Sequence, residues 1–373
     1  MNKFAAKLRN LTDAVTERID IWGPDNILKS SSPGLNWLFG KTHGIPLRYT
    51  TLAWGIEKSG KSVLGYDLAG QAMQRWDDAL VVKFDTEMRD EGQLDEAHAK
   101  AYGIDLDRFV VYRTNEPAGV FDKVNTEIKS LIQDGANVKM IIIDSISALM
   151  GRRTAAQESI EKFQIGDHAI TMQIGLQSMR KMLFDHGIHL YLTAHARDQM
   201  DPVEIMRGNK KKPAAANAVK HLCEFILEVS RNKTKTGNQD ILENKLVDES
   251  KSDMTGDAER TGHKMRFFLE GNTLGPANRM AEATFDYNKG FINQHEEVFV
   301  LGVNWGIIKR PNKLTYTVGS ETFTGKPAAL KALAERPDLQ KLVLAGLLER
   351  EKSGGADAVN MTLNTVPENA PET

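Results

Sequence analysis

The sequence holds one cysteine, Cys223, in 373 residues. A single thiol closes no intramolecular disulfide and builds no cysteine-based zinc site, which fits a reducing cytoplasm. Apolar runs are short: none approaches the roughly 20 residues needed to cross a membrane. The first residues, Met1-Asn2-Lys3-Phe4-Ala5-Ala6-Lys7-Leu8, lack the apolar stretch of a secretory signal. A cytoplasmic protein with no membrane partner is therefore expected. Net charge is nearly absent, at −2. No global basic field draws the chain to nucleic acid, so any such contact must come from local patches. Internal repeats are lacking as well.

What is present is an ordinary globular composition, 41% hydrophobic and 26% charged. The length suits one large domain with smaller additions. Residues 1–30 read as an N-terminal helical appendage, with Phe4, Leu8, Leu11 and Val15 at helical spacing. That helix packs either on its own domain or on a neighbouring subunit. From about Ser31, short apolar runs alternate with helical patterns. Strands are predicted at Arg48–Trp54, Ala79–Phe84, Phe109–Tyr112, Lys139–Asp144, Ile188–Ala194 and Phe225–Val229. Helices are predicted at Ser62–Arg75, Val120–Gln133 and Ala169–Phe184. This order predicts an α/β fold, a mostly parallel twisted sheet with helices on both faces. The predicted core spans 31–289, a small C-terminal α/β subdomain 290–352, and a disordered tail 353–373. Two polar stretches, Arg197–Ala216 and Asn232–His263, read as long mobile connections.

Gly55-Ile56-Glu57-Lys58-Ser59-Gly60-Lys61-Ser62 matches G-x-x-x-x-G-K-[ST], between a predicted strand and a predicted helix. Its glycines let successive N–H groups face phosphate oxygens, and the helix N-terminus adds its dipole. Lys61 is expected to reach the β- and γ-phosphates of ATP, and the Ser62 hydroxyl to hold Mg²⁺. The Ile-rich strand Lys139–Asp144 ends in an acid suited to positioning the same Mg²⁺. Asp85-Thr86-Glu87 ends a second strand, and Glu87 is the better placed of its acids to orient an attacking water.

Taken together these segments resemble the RecA family of recombinases, most of all its bacteriophage UvsX-type members. The resemblance runs from about residue 30 to 350. It is carried by Ser32-Pro33-Gly34-Leu35, the phosphate loop, Asp85-Thr86-Glu87 and Asp144-Ser145. Ile165-Gly166-Asp167-His168 with Ser178-Met179-Arg180-Lys181, Asn217-Ala218-Val219-Lys220 and Leu301-Gly302-Val303 complete it. It implies a RecA-like P-loop ATPase core and a DNA-dependent ATPase that forms helical filaments on single-stranded DNA. Such a filament pairs and exchanges strands with homologous double-stranded DNA, and ATP lies between subunits of the homo-oligomer. Single-strand-binding and loader proteins are further implied partners. His195 stands where the phage branch carries a histidine, a γ-phosphate sensor by resemblance, and Asp95 and His98 join the nucleotide set. The chain departs from the family at Ala215-Ala216, where a glycine pair is usual. It departs again at Leu269-Glu270-Gly271-Asn272-Thr273, which lacks the lysines that reach a neighbour's γ-phosphate; Lys264 or Arg266 are the available substitutes.

The predicted DNA site combines Arg197, Arg207, Lys210, Lys211 and Lys212 in the second predicted DNA loop, Arg197–Ala216, with Arg180 on the helix after the first, Gly151–His168. Asn217 closes the second loop. Met206 or Ile205 is either a wedge between bases or a loop anchor. A ring helicase or translocase on the same core, and a non-catalytic nucleotide-dependent mediator, are the alternatives.

Overall fold

A computed structural model describes residues 19–353 apart from 42, 90–93, 152–165, 209, 216, 235–236, 243–244 and 249–259. The N-terminal appendage up to residue 18, most of the first predicted DNA loop and the tail from 354 lie outside the described residues.

The chain builds its centre from β1 (Thr50–Gly55), β2 (Leu80–Asp85), β3 (Phe109–Arg113), β4 (Val138–Asp144), β5 (His189–Asp198) and β7 (Phe225–Arg231). The short β6 (Lys211–Pro213) lies between the last two in sequence. In space the parallel strands run β7-β1-β5-β4-β2-β3. Burial at every position of β1, and the runs of Leu, Val and Ile in β2 and β4, suit strands buried on both faces. One face packs on α1 (Lys61–Arg75), through Leu64, Leu68 and Ala72. The other is covered by the helical segment 117–133, α2 (Asp167–His186) and α3 (Asn217–His221), through Val120, Leu176, Met179 and Val219. Predicted and observed strands agree to within two residues at either end, except that β5 continues four residues further, to Asp198.

The described residues of both polar stretches form strands and turns rather than the expected mobile connections. Beyond Ala194, β5 turns into a hairpin with β6, pairing Arg197 with Lys212 and Asp198 with Lys211. A helical turn, Pro202–Met206, closes its tip, capped by Asp201 Oδ1 accepting from the Val203 N–H. The second stretch supplies Gly237–Leu242, Lys245–Asp248 and the start of β8 (Arg260–Asn272). β8 pairs antiparallel with β7 and with β9 (Arg279–Asp286). Backbone ladders satisfy these polar segments, so low hydrophobicity did not signal loop.

The C-terminal part contains α4 (Gln294–Asn304), the three-stranded antiparallel sheet 309–324, α5 (Lys326–Glu335) and α6 (Pro337–Lys352). Its core residues Val298, Leu301, Trp305, Leu333 and Val343 belong to the same buried cluster as Leu35 and Trp37 of the short helix Pro33–Leu38. Arg279 lies 4.7 Å from the Trp37 ring and 5.9 Å from the Trp305 ring. Its guanidinium also pairs with Glu351, which in turn bonds His43.

Candidate active site

Parallel register brings the strand ends to one edge. Asp85 sits beside Asp144, and Gly55 beside His195. Ligand sites of open α/β sheets lie at this carboxyl edge.

Gly55 and Gly60 shape the phosphate loop. A Cβ on Gly55 would lie 2.0 Å from the Val229 carbonyl oxygen, so no larger residue fits beneath the loop. Gly60 caps α1 at φ +98°, in the region glycine favours. Lys61 is buried, and its ammonium donates to the carbonyls of Gly55 at 3.0 Å and Ile56 at 2.7 Å. Burial lowers its pKa, while Asp144, Glu87 and Glu57 pull it the other way. Tyr191 donates to the Lys61 carbonyl at 2.8 Å and fixes the first turn of α1. The Ser59 hydroxyl is buried without a hydrogen-bond partner among the described residues. An orphan hydroxyl inside a loop of N–H groups suits phosphate oxygens. The Ser62 hydroxyl and Asp144 carboxylate are hard oxygen donors, as Mg²⁺ prefers.

The carboxylates are tightly held. Asp144 Oδ1 accepts from Thr193 Oγ1 at 2.5 Å. Thr86 and Ser145 lock the two strand ends together: Thr86 Oγ1 donates to the Ser145 carbonyl and accepts from the Ser145 N–H. Glu87 Oε1 accepts from Ser145 Oγ at 2.6 Å and lies 2.6 Å from His195 Nε2. Its Oε2 lies 3.0 Å from Arg89.

Asp144, Glu87, His195 and Arg89 line a cavity of about 570 Å³ with Glu57, Lys58, Gly60, Lys61, Ser62 and Asp85 on the phosphate side. His98, Tyr102, His263, Phe285 and Tyr287 form an aromatic wall elsewhere. Burial, helped by nearby Arg231, lowers the His263 pKa to about 4, so this wall is neutral there near pH 7. Arg231 also lines the cavity and donates to the Lys58 carbonyl at 3.3 Å.

The predicted nucleotide residues thus converge, with two qualifications. Ile56 points outward as an exposed side chain, and its backbone carbonyl does the holding. Asp95 caps the short helix Glu96–Tyr102, accepting from the His98 N–H and ring, and is absent from the cavity lining. Those bonds lower its pKa. Sequence reasoning missed Ser145, Thr193, Arg89, His263 and Tyr287. Ser145 and Thr193 had a usable signal, a hydroxyl at or beside the end of an apolar strand.

The predicted DNA residues divide between two places. Arg197, Lys210, Lys211 and Lys212 lie on the hairpin that extends the carboxyl edge, with Arg207 near its tip and Asn217 opening α3. Lys211 is paired with Asp198 at 2.6 Å and Arg207 with Glu204 at 2.7 Å. Arg197, Lys210 and Lys212 have no carboxylate partner among the described residues. Arg180 lies at the opposite, amino edge, bonded to Glu224 at 2.8 Å; Glu224 also accepts from the Thr50 N–H. Of the two substitutes for a cross-subunit cation, Lys264 pairs with Glu282 at 3.0 Å and Arg266 donates to Met280 Sδ at 2.7 Å.

A phosphate cradle between strand and helix, faced by two strand-end acids, defines a P-loop nucleotide hydrolase. The RecA N-terminal domain family matches residues 23–265, and the chain belongs to the RecA family. It is a RecA-type recombinase and a DNA-dependent ATPase. The chain is similar to Protein RecA of Mycoplasma genitalium, 24% identical over 79% of this chain and 77% of that protein. Protein RecA of Aquifex pyrophilus is 25% identical over 79% and 75%, and that of Corynebacterium urealyticum 22% over 89% and 80%. Among the described residues no helix is long and apolar enough to cross a membrane.

Proposed function

We propose that this chain binds ATP with Mg²⁺ between adjacent copies, assembles as a helical filament on single-stranded DNA, and exchanges that strand with a homologous duplex. The observation that carries the reading is the bond between Glu87 and His195. His195 belongs to β5, whose continuation is the cationic hairpin, and its carbonyl accepts from the Ala214 N–H at 2.7 Å. Nucleotide chemistry and DNA contact therefore share one strand.

Lys61 and the loop N–H groups hold the phosphates. Mg²⁺, held by Ser62 and by Asp144 directly or through water, supplies charge neutralisation at the phosphate oxygens. Glu87 orients the attacking water and takes its proton. The aromatic wall of Tyr102 and Tyr287, with His98, receives the base, and Asp95 holds His98 in place. His195 answers the γ-phosphate by exchanging its bond to Glu87 for one to phosphate, which moves the hairpin. Arg197, Arg207, Lys210, Lys211, Lys212 and Asn217 then face DNA phosphates, and Arg180 contributes from the other edge. The core of 31–289 performs this chemistry, with 1–30 joining neighbouring copies and 290–352 as a subdomain resting on the core. A cytoplasmic setting, the phage-type affinity suggested by His195, and single-strand-binding or loader partners belong to the same reading.

Strand exchange between a single strand and a homologous duplex tests it. Exchange is expected with ATP and absent without it, and absent for Lys61→Ala, which should also lose nucleotide binding. ATP hydrolysis by Lys61→Ala at the native rate, or closed rings that unwind duplex, would overturn it.

A further inference from the structure

β2 turns Val81, Lys83 and Asp85 toward α1, and Val82 and Phe84 toward the opposite face. Val81 joins the core there, with Met140 beside it. Lys83 occupies the next inward position and is only 1% exposed. Burial of an ammonium is costly, and an apolar side chain of similar volume would pack this position without that cost. Its surroundings explain the charge. The ammonium donates to Tyr66 Oη at 2.7 Å and lies 4.4 Å from the centroid of the same ring. It also lies 3.6 Å from Asp144 Oδ2. Thr193 holds the other carboxylate oxygen. The acid at the rim of the nucleotide cavity is therefore gripped from within the sheet, one oxygen by a hydroxyl and the other by a cation.

We propose that Lys83 is a positioning residue: a fixed cation behind Asp144 that orients this carboxylate and sets how strongly the site attracts a divalent metal ion. The inference rests on the nucleotide–metal reading above. A carboxylate already shared with an ammonium offers less negative potential to a second cation, and the ammonium itself repels that cation. Tyr66 draws the ammonium away from Asp144 and moderates the effect. Replacing Lys83 and replacing Tyr66 should therefore shift metal affinity in opposite directions, which a packing role would not produce.

The test measures equilibrium binding of a fluorescent, non-hydrolysable ATP analogue to the full chain as Mg²⁺ is titrated, together with binding in EDTA and thermal stability. Lys83→Met should lower the half-saturating Mg²⁺ concentration by about tenfold, with little change in EDTA. Tyr66→Phe should raise it by about twofold to threefold, because the ammonium then leans more fully on Asp144. Tyr66→Phe carries the test if Lys83→Met does not fold. Unmoved Mg²⁺ curves accompanied by lower melting temperatures would make Lys83 a buried filler and overturn the inference alone. A higher Mg²⁺ requirement in Lys83→Met would overturn the charge argument. A wild-type protein whose binding of the analogue ignores Mg²⁺ would overturn the nucleotide–metal reading first and this inference with it.

Discussion

His195 Nε2 lies 2.6 Å from Glu87 Oε1, across the space between the ends of β5 and β2. Arg89 and Ser145 hold the same carboxylate. As the proposed base, Glu87 must be released by at least one of these three partners for its carboxylate to meet water.

Glu87→Gln keeps the shape of the side chain but removes its charge and basicity. ATP hydrolysis should fall by about 10²- to 10⁴-fold while nucleotide binding persists. His195→Ala should bring the ratio of hydrolysis rates with and without single-stranded DNA toward one, because the link from cavity to hairpin is cut. Steady-state ATPase assays read both outcomes. Full turnover in Glu87→Gln would reassign the base.

Replacing Lys210, Lys211 and Lys212 together by alanine should weaken binding to single-stranded DNA. The slope of log affinity against log salt should flatten by about 0.7 for each DNA phosphate that is no longer neutralised. Lys211 contributes least, since Asp198 already neutralises part of its charge. Arg180→Ala should move the slope less than the triple variant does, because Glu224 competes for the guanidinium. An unaltered slope in the triple variant would make the lysines a solvated surface run.

The proposed nucleotide site is legible in the sequence because its residues are local. The run Gly55–Ser62 contains its own geometry, and acids at the ends of apolar strands announce themselves. The described residues of 197–216 and 232–263 depart from the sequence expectation because hairpins that extend from a sheet satisfy their backbones without needing apolar side chains. The division of Arg180 from the lysine run was invisible for another reason. Only the register of β1 and β7 shows that Glu224 and Thr50 mark the far edge of the sheet. Thr193, nearly fifty positions after Asp144, meets it only because β5 lies beside β4.

Glu297 on α4 is buried, accepting from Ser32 Oγ at 2.6 Å and the Gly34 N–H at 2.8 Å. Burial raises its pKa from the usual 4.5 to about 8, against those two bonds. A carboxyl group raised in this way supports the fold in its neutral form. Its contribution is complete below about pH 4.5 and is lost as pH rises toward 8, by up to about 1.4 kcal/mol per unit. Glu297→Gln should therefore melt close to wild type near about pH 5 and above it near about pH 8.5. Melting curves at the two pH values check the sign, and a variant less stable at the higher pH contradicts it.

The guanidinium of Arg279 sits against both Trp37 and Trp305 while gripping Glu351 near the close of α6. A bolt of this kind joins a strand, an early helix and the last helix at one point. Heat or denaturant that loosens α6 therefore also bares the Trp37 and Trp305 rings of the shared core.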